Sequence, residues 1–212
     1  MKNFTLVAGV LAIGALVLFA NAGDSQWDAQ SSGYEVGDVA RDFSLKNVDG
    51  NMVSMADFND AKGFIVVFTC NHYPYAKLYE QRIMDLDVAY ADKGYPVIAI
   101  NPNDPSKVAE DSFENMVARA EEKGYTFPYL VDGSQEIAAS YGATKTPHVY
   151  VLKKEGGKLV VKYIGAIDNN HKDPDAVSKT YVADAVDALL SGNAVPEAET
   201  RAIGCTIKWK DA

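Results

Sequence analysis

The chain has 212 residues, of which 48% are hydrophobic and 23% are charged, and its formal net charge is −9. This length and composition predict one globular domain that buries a core without a network of disulfides. An acidic chain without a basic block argues against nucleic acid as a partner. The chain has only two cysteines, which excludes a four-cysteine zinc site.

The N-terminus has the features of a secretory signal peptide. Lys2 precedes an apolar run over residues 4–20, which is followed by small residues up to Ala22. This arrangement predicts cleavage after residue 22 and a periplasmic or extracellular protein. The alternative is an uncleaved membrane anchor formed by residues 4–20, since the run is about long enough to span a bilayer.

The remaining elements alternate between strand and helix patterns. After a polar linker at 23–35, apolar positions on both sides of Asp49-Gly50 predict a hairpin. The continuous apolar run that ends before Cys70 predicts a strand buried on both faces, and Pro74 opens a segment with helical spacing. Further predicted elements are a strand at 95–101, a helix at 106–124, a strand at 127–132, a helix at 134–142, two strands within 144–168, a helix at 174–192 and a tail at 193–212.

This order predicts an α/β fold, with a mixed central β-sheet flanked by helices, for a domain at 36–192. Strands joined through helices should be parallel, and strands joined by a turn should be antiparallel. Sites on such sheets lie at the carboxyl end of a central strand, where a helix begins. Cys70 occupies that position.

Several segments resemble a known family, among them "TCNHYPYAKLYEQRI", "SQEIAASYGATKTP" and "ETRAIGCTIKWK". From about residue 36 to residue 210 the chain is similar to thioredoxin-fold proteins of the redoxin branch. More closely, it resembles the peroxiredoxin-like thioredoxin-domain subfamily of the alkyl hydroperoxide reductase/thiol-specific antioxidant superfamily. The resemblance implies a thioredoxin-like fold, an antioxidant thiol oxidoreductase activity in redox homeostasis, and no cofactor.

The chain departs from the motifs of that subfamily at three positions and from those of typical peroxiredoxins at a fourth. Tyr73 stands where the subfamily has its second motif cysteine, Lys145 replaces another cysteine, and His148 replaces an acidic residue. Val67 stands where typical peroxiredoxins have a threonine that orients the peroxide. The family's functional positions that carry over are Cys70, Thr146, Pro147 and Cys205.

Cys70 is the candidate catalytic thiol. At the start of a helix, unsatisfied N–H groups and the helix dipole favour the thiolate, which is the reactive form. The alternative is an inert buried cysteine. Tyr73 rules out a dithiol cycle within this motif, because a phenol cannot attack a mixed disulfide. Tyr73 either contacts the substrate or covers the thiol.

Thr146 and Pro147 are the candidate substrate-binding loop. The resemblance implies a cis peptide bond between them and a loop that faces Cys70 and offers backbone atoms to an extended substrate. The residues themselves predict a turn that opens a strand. His148 follows this loop, and the sequence leaves open whether its side chain approaches Cys70.

Cys205 is the second candidate catalytic residue, with three open interpretations. It is a resolving thiol that the tail brings back to the site, or half of a structural disulfide with Cys70, or a free buried thiol. Either bonded form requires alpha carbons within about 7 Å of each other.

The sequence therefore predicts an exported thiol-dependent oxidoreductase. Its substrate is a peroxide or a protein or small-molecule disulfide, and its thiol reductant is unknown. The alternative function is a catalytically degenerate binding module for a partner or for copper, held by Cys70, His72 and a distant histidine. Because a cysteine and a histidine two residues apart on a turn form a weak signal, we predict no metal ligands.

Overall fold

The computed structural model describes Met1 and residues 33–211. The rest of the predicted signal peptide and most of the predicted linker lie outside these residues. Among the described residues, no helix is both long enough and apolar enough to cross a membrane. The helices are α1 (Pro74–Tyr90), α2 (Phe113–Lys123), α3 (Glu136–Tyr141) and α4 (Tyr181–Leu190). The strands are β1 (Val39–Ala40), β2 (Ser44–Asn47), β3 (Met52–Ser54), β4 (Gly63–Phe68), β5 (Val97–Asn101), β6 (Tyr129–Val131), β7 (Lys145–Thr146), β8 (His148–Glu155), β9 (Lys158–Gly165) and β10 (Cys205–Thr206).

Eight of these strands form one mixed sheet in the order β1-β9-β8-β4-β5-β6-β2-β3. The pairs β4–β5 and β5–β6 are parallel, as expected for strands joined through helices. The hairpins β2–β3 and β8–β9 are antiparallel, as predicted. The short strands β7 and β10 form a separate antiparallel pair.

The strand that precedes Cys70, β4, is a central strand of the eight-stranded sheet and is completely buried. Ile65 and Val67 face the core under α1, α2 and α4. Phe64, Val66 and Phe68 face the opposite core, which α3 covers. A strand buried on both faces is the physical reason for the uninterrupted apolar run in the sequence.

Three helices, α2, α3 and α4, are shorter than predicted, and side chains cap or divert the backbone before α2 and α4. The Ser112 hydroxyl accepts the Asn115 N–H at 3.3 Å, so α2 begins at residue 113. The Asn169 side-chain oxygen accepts the N–H groups of Ser178 at 3.0 Å and Lys179 at 3.2 Å. These bonds hold residues 178–179 in a loop, and α4 starts only at residue 181.

After α4 the tail runs back across the sheet and is anchored on both sides of Cys205. Before it, Thr200 Oγ1 contacts the Tyr163 hydroxyl at 2.6 Å and accepts the Ala166 N–H at 3.0 Å. After it, Ile207 is buried in the core. Beyond Ile207, Gln135 donates to the Lys208 carbonyl at 2.9 Å and accepts the Lys210 N–H at 2.7 Å.

Candidate active site

Cys70 lies at the carboxyl end of β4, in the turn that leads into α1. Its Sγ donates to Thr146 Oγ1 at 3.3 Å, and the residue is only 6% exposed. A cavity of about 10 Å³ beside the thiol has room for about one water molecule. Cys70 therefore occupies the predicted position, but it is almost closed from solvent.

The ionisation of Cys70 differs from the sequence-based expectation. Burial, and second to it the negative charge of Asp111, raise the pKa of the Cys70 thiol to about 11. Hydrogen bonds from the Thr146 hydroxyl and from the N–H groups of Tyr73 and His72 lower this pKa, but by less. The helix terminus acts in the predicted direction and burial outweighs it. The expectation of a favoured thiolate is therefore wrong, and the resting thiol is protonated.

A buried carboxylate, Asp111, organises the turn beside Cys70. It is 2% exposed and accepts the Asn71 backbone N–H at 2.8 Å and the Asn103 side-chain N–H at 2.7 Å. Asn71 in turn accepts the Tyr129 hydroxyl at 2.9 Å. Sequence reasoning missed this network. The available signal was the group of polar residues that follows β5, at the same sheet edge as Cys70.

The peptide bond between Thr146 and Pro147 is cis, as the family resemblance implied. Thr146 is fully buried, and Pro147 is buried as well. The tail covers this loop: a Cβ built on Gly204 would lie 2.4 Å from the Thr146 carbonyl oxygen. Only a glycine at position 204 allows this close approach of the tail to the loop. That Thr146 and Pro147 contact the substrate stays a prediction.

Cys205 lies directly opposite Thr146 in the antiparallel β7–β10 pair. Residues opposite each other in such a pair project from the same face, with Cβ atoms about 4.5–5.5 Å apart. Cys70 and Cys205 therefore both neighbour the Thr146 side chain. Both cysteines are free thiols in this structure, and Cys205 is partly exposed whereas Cys70 is buried.

Tyr73 occupies the N-cap position of α1 without a side-chain capping hydrogen bond, and it is partly exposed between the Cys70 turn and the tail. Its ring lies 5.1 Å from the Lys208 Nζ of the tail and 4.9 Å from the ring of His72. A cation above an aromatic face is attracted to it. Tyr73 thus contributes to the cover over the Cys70 turn, and its contact with a substrate stays a prediction.

The side chains of His148 and His72 contact residues other than Cys70. His148 accepts the Thr144 N–H at Nδ1 (3.4 Å), and its ring packs 4.9 Å from Tyr150. Burial lowers the pKa of His148 to about 4, so this side chain is neutral. His72 Nδ1 lies 3.6 Å from Glu110 Oε1. Within the described part of the chain, no group of three or more cysteine, histidine or acidic side chains could hold a metal ion.

The chain is similar to two named types of thiol protein. A Mycobacterium tuberculosis protein named as a peroxiredoxin is 26% identical over 136 residues, which are 64% of this chain and 80% of the relative. The thiol-disulfide oxidoreductase ResA of Oceanobacillus iheyensis is 28% identical over 151 residues, 69% of this chain and 73% of that protein.

A solved structure extends the similarity to most of the chain. The crystal structure of an uncharacterized conserved protein from Geobacillus kaustophilus has a TM-score of 0.78 and 39% identity. The matched region covers 84% of this chain and 94% of the Geobacillus kaustophilus chain. The fold is thioredoxin-like, as predicted. The AhpC/TSA family model matches residues 36–163, which include Cys70 and the Thr146-Pro147 loop. The chain therefore belongs to the AhpC/TSA family of peroxiredoxin-like thiol oxidoreductases.

Proposed function

We propose that the protein is an exported thiol-dependent oxidoreductase whose redox couple is Cys70 and Cys205. The observation that supports this most strongly is the position of Thr146. Its hydroxyl contacts the Cys70 sulfur, and its backbone pairs with Cys205. With Tyr73 in the position of a second motif cysteine, Cys205 is the only other cysteine in the sequence that can complete a dithiol.

The proposed reaction converts two thiols into one intramolecular disulfide. With a disulfide substrate, RSSR is reduced to two RSH while the Cys70–Cys205 bond forms. With a hydroperoxide, ROOH gives ROH and water, through a cysteine sulfenic acid that condenses with the other thiol. An external thiol reductant returns the protein to the dithiol form.

Export is part of this proposal and rests on the N-terminal sequence. A signal peptide at residues 1–22 would deliver the protein to an oxidising compartment, where thiol pairs form disulfides. An uncleaved segment at residues 4–20 would instead tether it to the membrane.

The competing proposal is a binding module that has kept the fold and lost the chemistry. The burial of Cys70, together with the rise of its pKa to about 11, favours this alternative. Such a module would bind a partner protein or copper through the surface around Cys70, without a redox cycle.

Turnover assays with a defined reductant test the two proposals. The purified protein is supplied with dithiothreitol and either hydrogen peroxide or oxidised glutathione, and substrate loss is compared with a protein-free control. The oxidoreductase should turn over one of them, and Cys70→Ser and Cys205→Ser should each reduce the rate at least tenfold. Rates equal to the protein-free control with both substrates would reject the oxidoreductase and leave the binding module.

A further inference from the structure

The two thiols differ in their access to solvent. Cys70 is 6% exposed, and the cavity beside it, about 10 Å³, is too small for any disulfide. Cys205 is partly exposed on β10, and its neighbour Thr206 is exposed. A substrate that arrives from solvent therefore meets Cys205 first.

The tail is held in place on both sides of Cys205. Gly204 packs against the Thr146 carbonyl, with no room for a Cβ. The buried Ile207 and the hydrogen bonds of Gln135 to Lys208 and Lys210 fix the segment on the far side of Cys205. Gln135 itself holds a left-handed backbone conformation, φ +65°, which is uncommon for a residue other than glycine.

We propose that Cys205 is the thiol that attacks a disulfide substrate, and that Cys70 is the resolving thiol. This reverses the roles that the family resemblance implies, and it rests on the function proposed above. The substrate class is a disulfide carried to the surface at β10, either a small molecule or a flexible peptide. The proposal does not require a substrate peptide to pair with β7 as an added strand, because β10 already pairs with β7.

The proposed reduction of a disulfide RSSR has two steps. The Cys205 thiolate attacks one sulfur of RSSR, forms the mixed disulfide Cys205–S–S–R and releases RS⁻. The Cys70 sulfur then attacks the Cys205 sulfur, forms the Cys70–Cys205 bond and releases the second RS group, which takes up the Cys70 proton as RSH.

A protonated Cys70 is compatible with the resolving role. With a pKa of about 11, only about one thiol in 10⁴ is ionised near pH 7. An attack within the same molecule has an effective concentration that can reach about 10⁵ M or more, which offsets this small fraction. A bimolecular attack on a solvent-borne substrate has no such compensation, so the buried thiol suits the second step better than the first.

The test uses 5,5′-dithiobis(2-nitrobenzoate), a small aromatic disulfide whose released thiolate absorbs visible light. Reduced Cys70→Ser protein should react quickly and retain one adduct on Cys205. Folded Cys205→Ser protein should react at least 100-fold more slowly, while its denatured form reacts as fast as denatured Cys70→Ser. A folded Cys205→Ser variant that reacts as fast as Cys70→Ser would overturn the proposed order.

A second measurement uses the wild-type protein and needs no variant. The reduced wild-type chain is mixed with less than one equivalent of the reagent, quenched in acid within milliseconds and mapped by mass spectrometry. The order of attack predicts a first adduct on Cys205, and a first adduct on Cys70 contradicts it. The final product reports separately on the redox couple: a Cys70–Cys205 bond upholds it, and a persistent adduct on Cys205 rejects it.

Discussion

Cys205 lies across the β7–β10 pair from Thr146, the residue whose hydroxyl contacts the Cys70 sulfur at 3.3 Å. One buried threonine thus connects the cysteine of the redoxin motif with the cysteine of the C-terminal tail. The tail that supplies Cys205 also packs Gly204 against the Thr146 carbonyl. The proposed pairing partner of Cys70 therefore lies on the short strand that pairs with Thr146.

Replacing Thr146 with valine should make Cys70 harder to ionise. The hydroxyl lowers the pKa of Cys70, because it can donate a hydrogen bond to the thiolate. Its loss should raise that pKa by about one unit and slow alkylation by iodoacetamide about tenfold at a fixed pH. The measurement is made in a Cys205→Ser background, with the exposed Thr144→Val as the matched control. Equal alkylation rates in the two variants would show that the hydroxyl does not act on the sulfur.

Removing the charge of Asp111 should have the opposite effect on Cys70. The Asp111 carboxylate raises the pKa of Cys70, so Asp111→Asn should lower it and accelerate alkylation several-fold. The variant should also lose about 1–3 kcal/mol of stability, since an amide cannot accept both hydrogen bonds that the carboxylate accepts. Glu110→Gln is the control, since Glu110 is the neighbouring acid and its side chain is 62% exposed. A folded Asp111→Asn protein with an unchanged alkylation rate would contradict this account.

A side chain at position 204 should force the tail away from the cis-proline loop. The Cβ of Gly204→Ala would lie 2.4 Å from the Thr146 carbonyl oxygen, so β10 must shift. We expect lower thermal stability and faster alkylation of Cys70, because the shift exposes the thiol. Gly133→Ala is the control, since a Cβ there meets nothing within 4 Å. If Cys70 in Gly204→Ala stays as protected as in Gly133→Ala, the tail is not its cover.

The neutral His148 should make the fold sensitive to mild acid. Burial lowers the pKa of His148 from 6.5 to about 4, so between these values the unfolded chain binds a proton that the folded chain does not. The stability contributed by the neutral side chain is therefore present above pH 6.5 and is lost as the pH falls towards 4. Urea unfolding should show a loss of about 2 kcal/mol between pH 7 and pH 5.

This loss should be absent in His148→Gln and retained in His72→Gln, which removes a partly exposed histidine. The two variants are compared with the wild type under the same urea conditions. A loss of stability in His148→Gln equal to that in the wild type would assign the pH dependence to other groups.

The sequence was most informative where a feature depends on neighbouring residues. The buried strand β4, the turn at Cys70 and the start of α1 at Pro74 follow from a continuous apolar run, a proline and helical spacing. The hairpin around Asp49-Gly50 follows from local turn chemistry. All these elements lie within short windows, where periodicity determines the structure.

Features that join distant parts of the chain were not predictable in this way. Cys70 and Thr146 are 76 positions apart, and Asn71 and Asp111 are 40 positions apart. The register that sets Cys205 against Thr146 depends on the anchors of the tail on both sides. The pKa of Cys70 could not be predicted for the same reason, since burial of the thiol, its largest cause, and the charge of Asp111 both arise from tertiary packing.

Peptide mapping under non-reducing conditions tests the central claim most directly. The protein is equilibrated in glutathione buffers that range from reducing to oxidising, alkylated, digested and analysed by mass spectrometry. We predict a cross-linked pair of peptides containing Cys70 and Cys205, formed reversibly and as one two-electron transition. A chain that remains a dithiol in every buffer, or that carries only glutathione adducts on Cys205, would contradict the proposed redox couple.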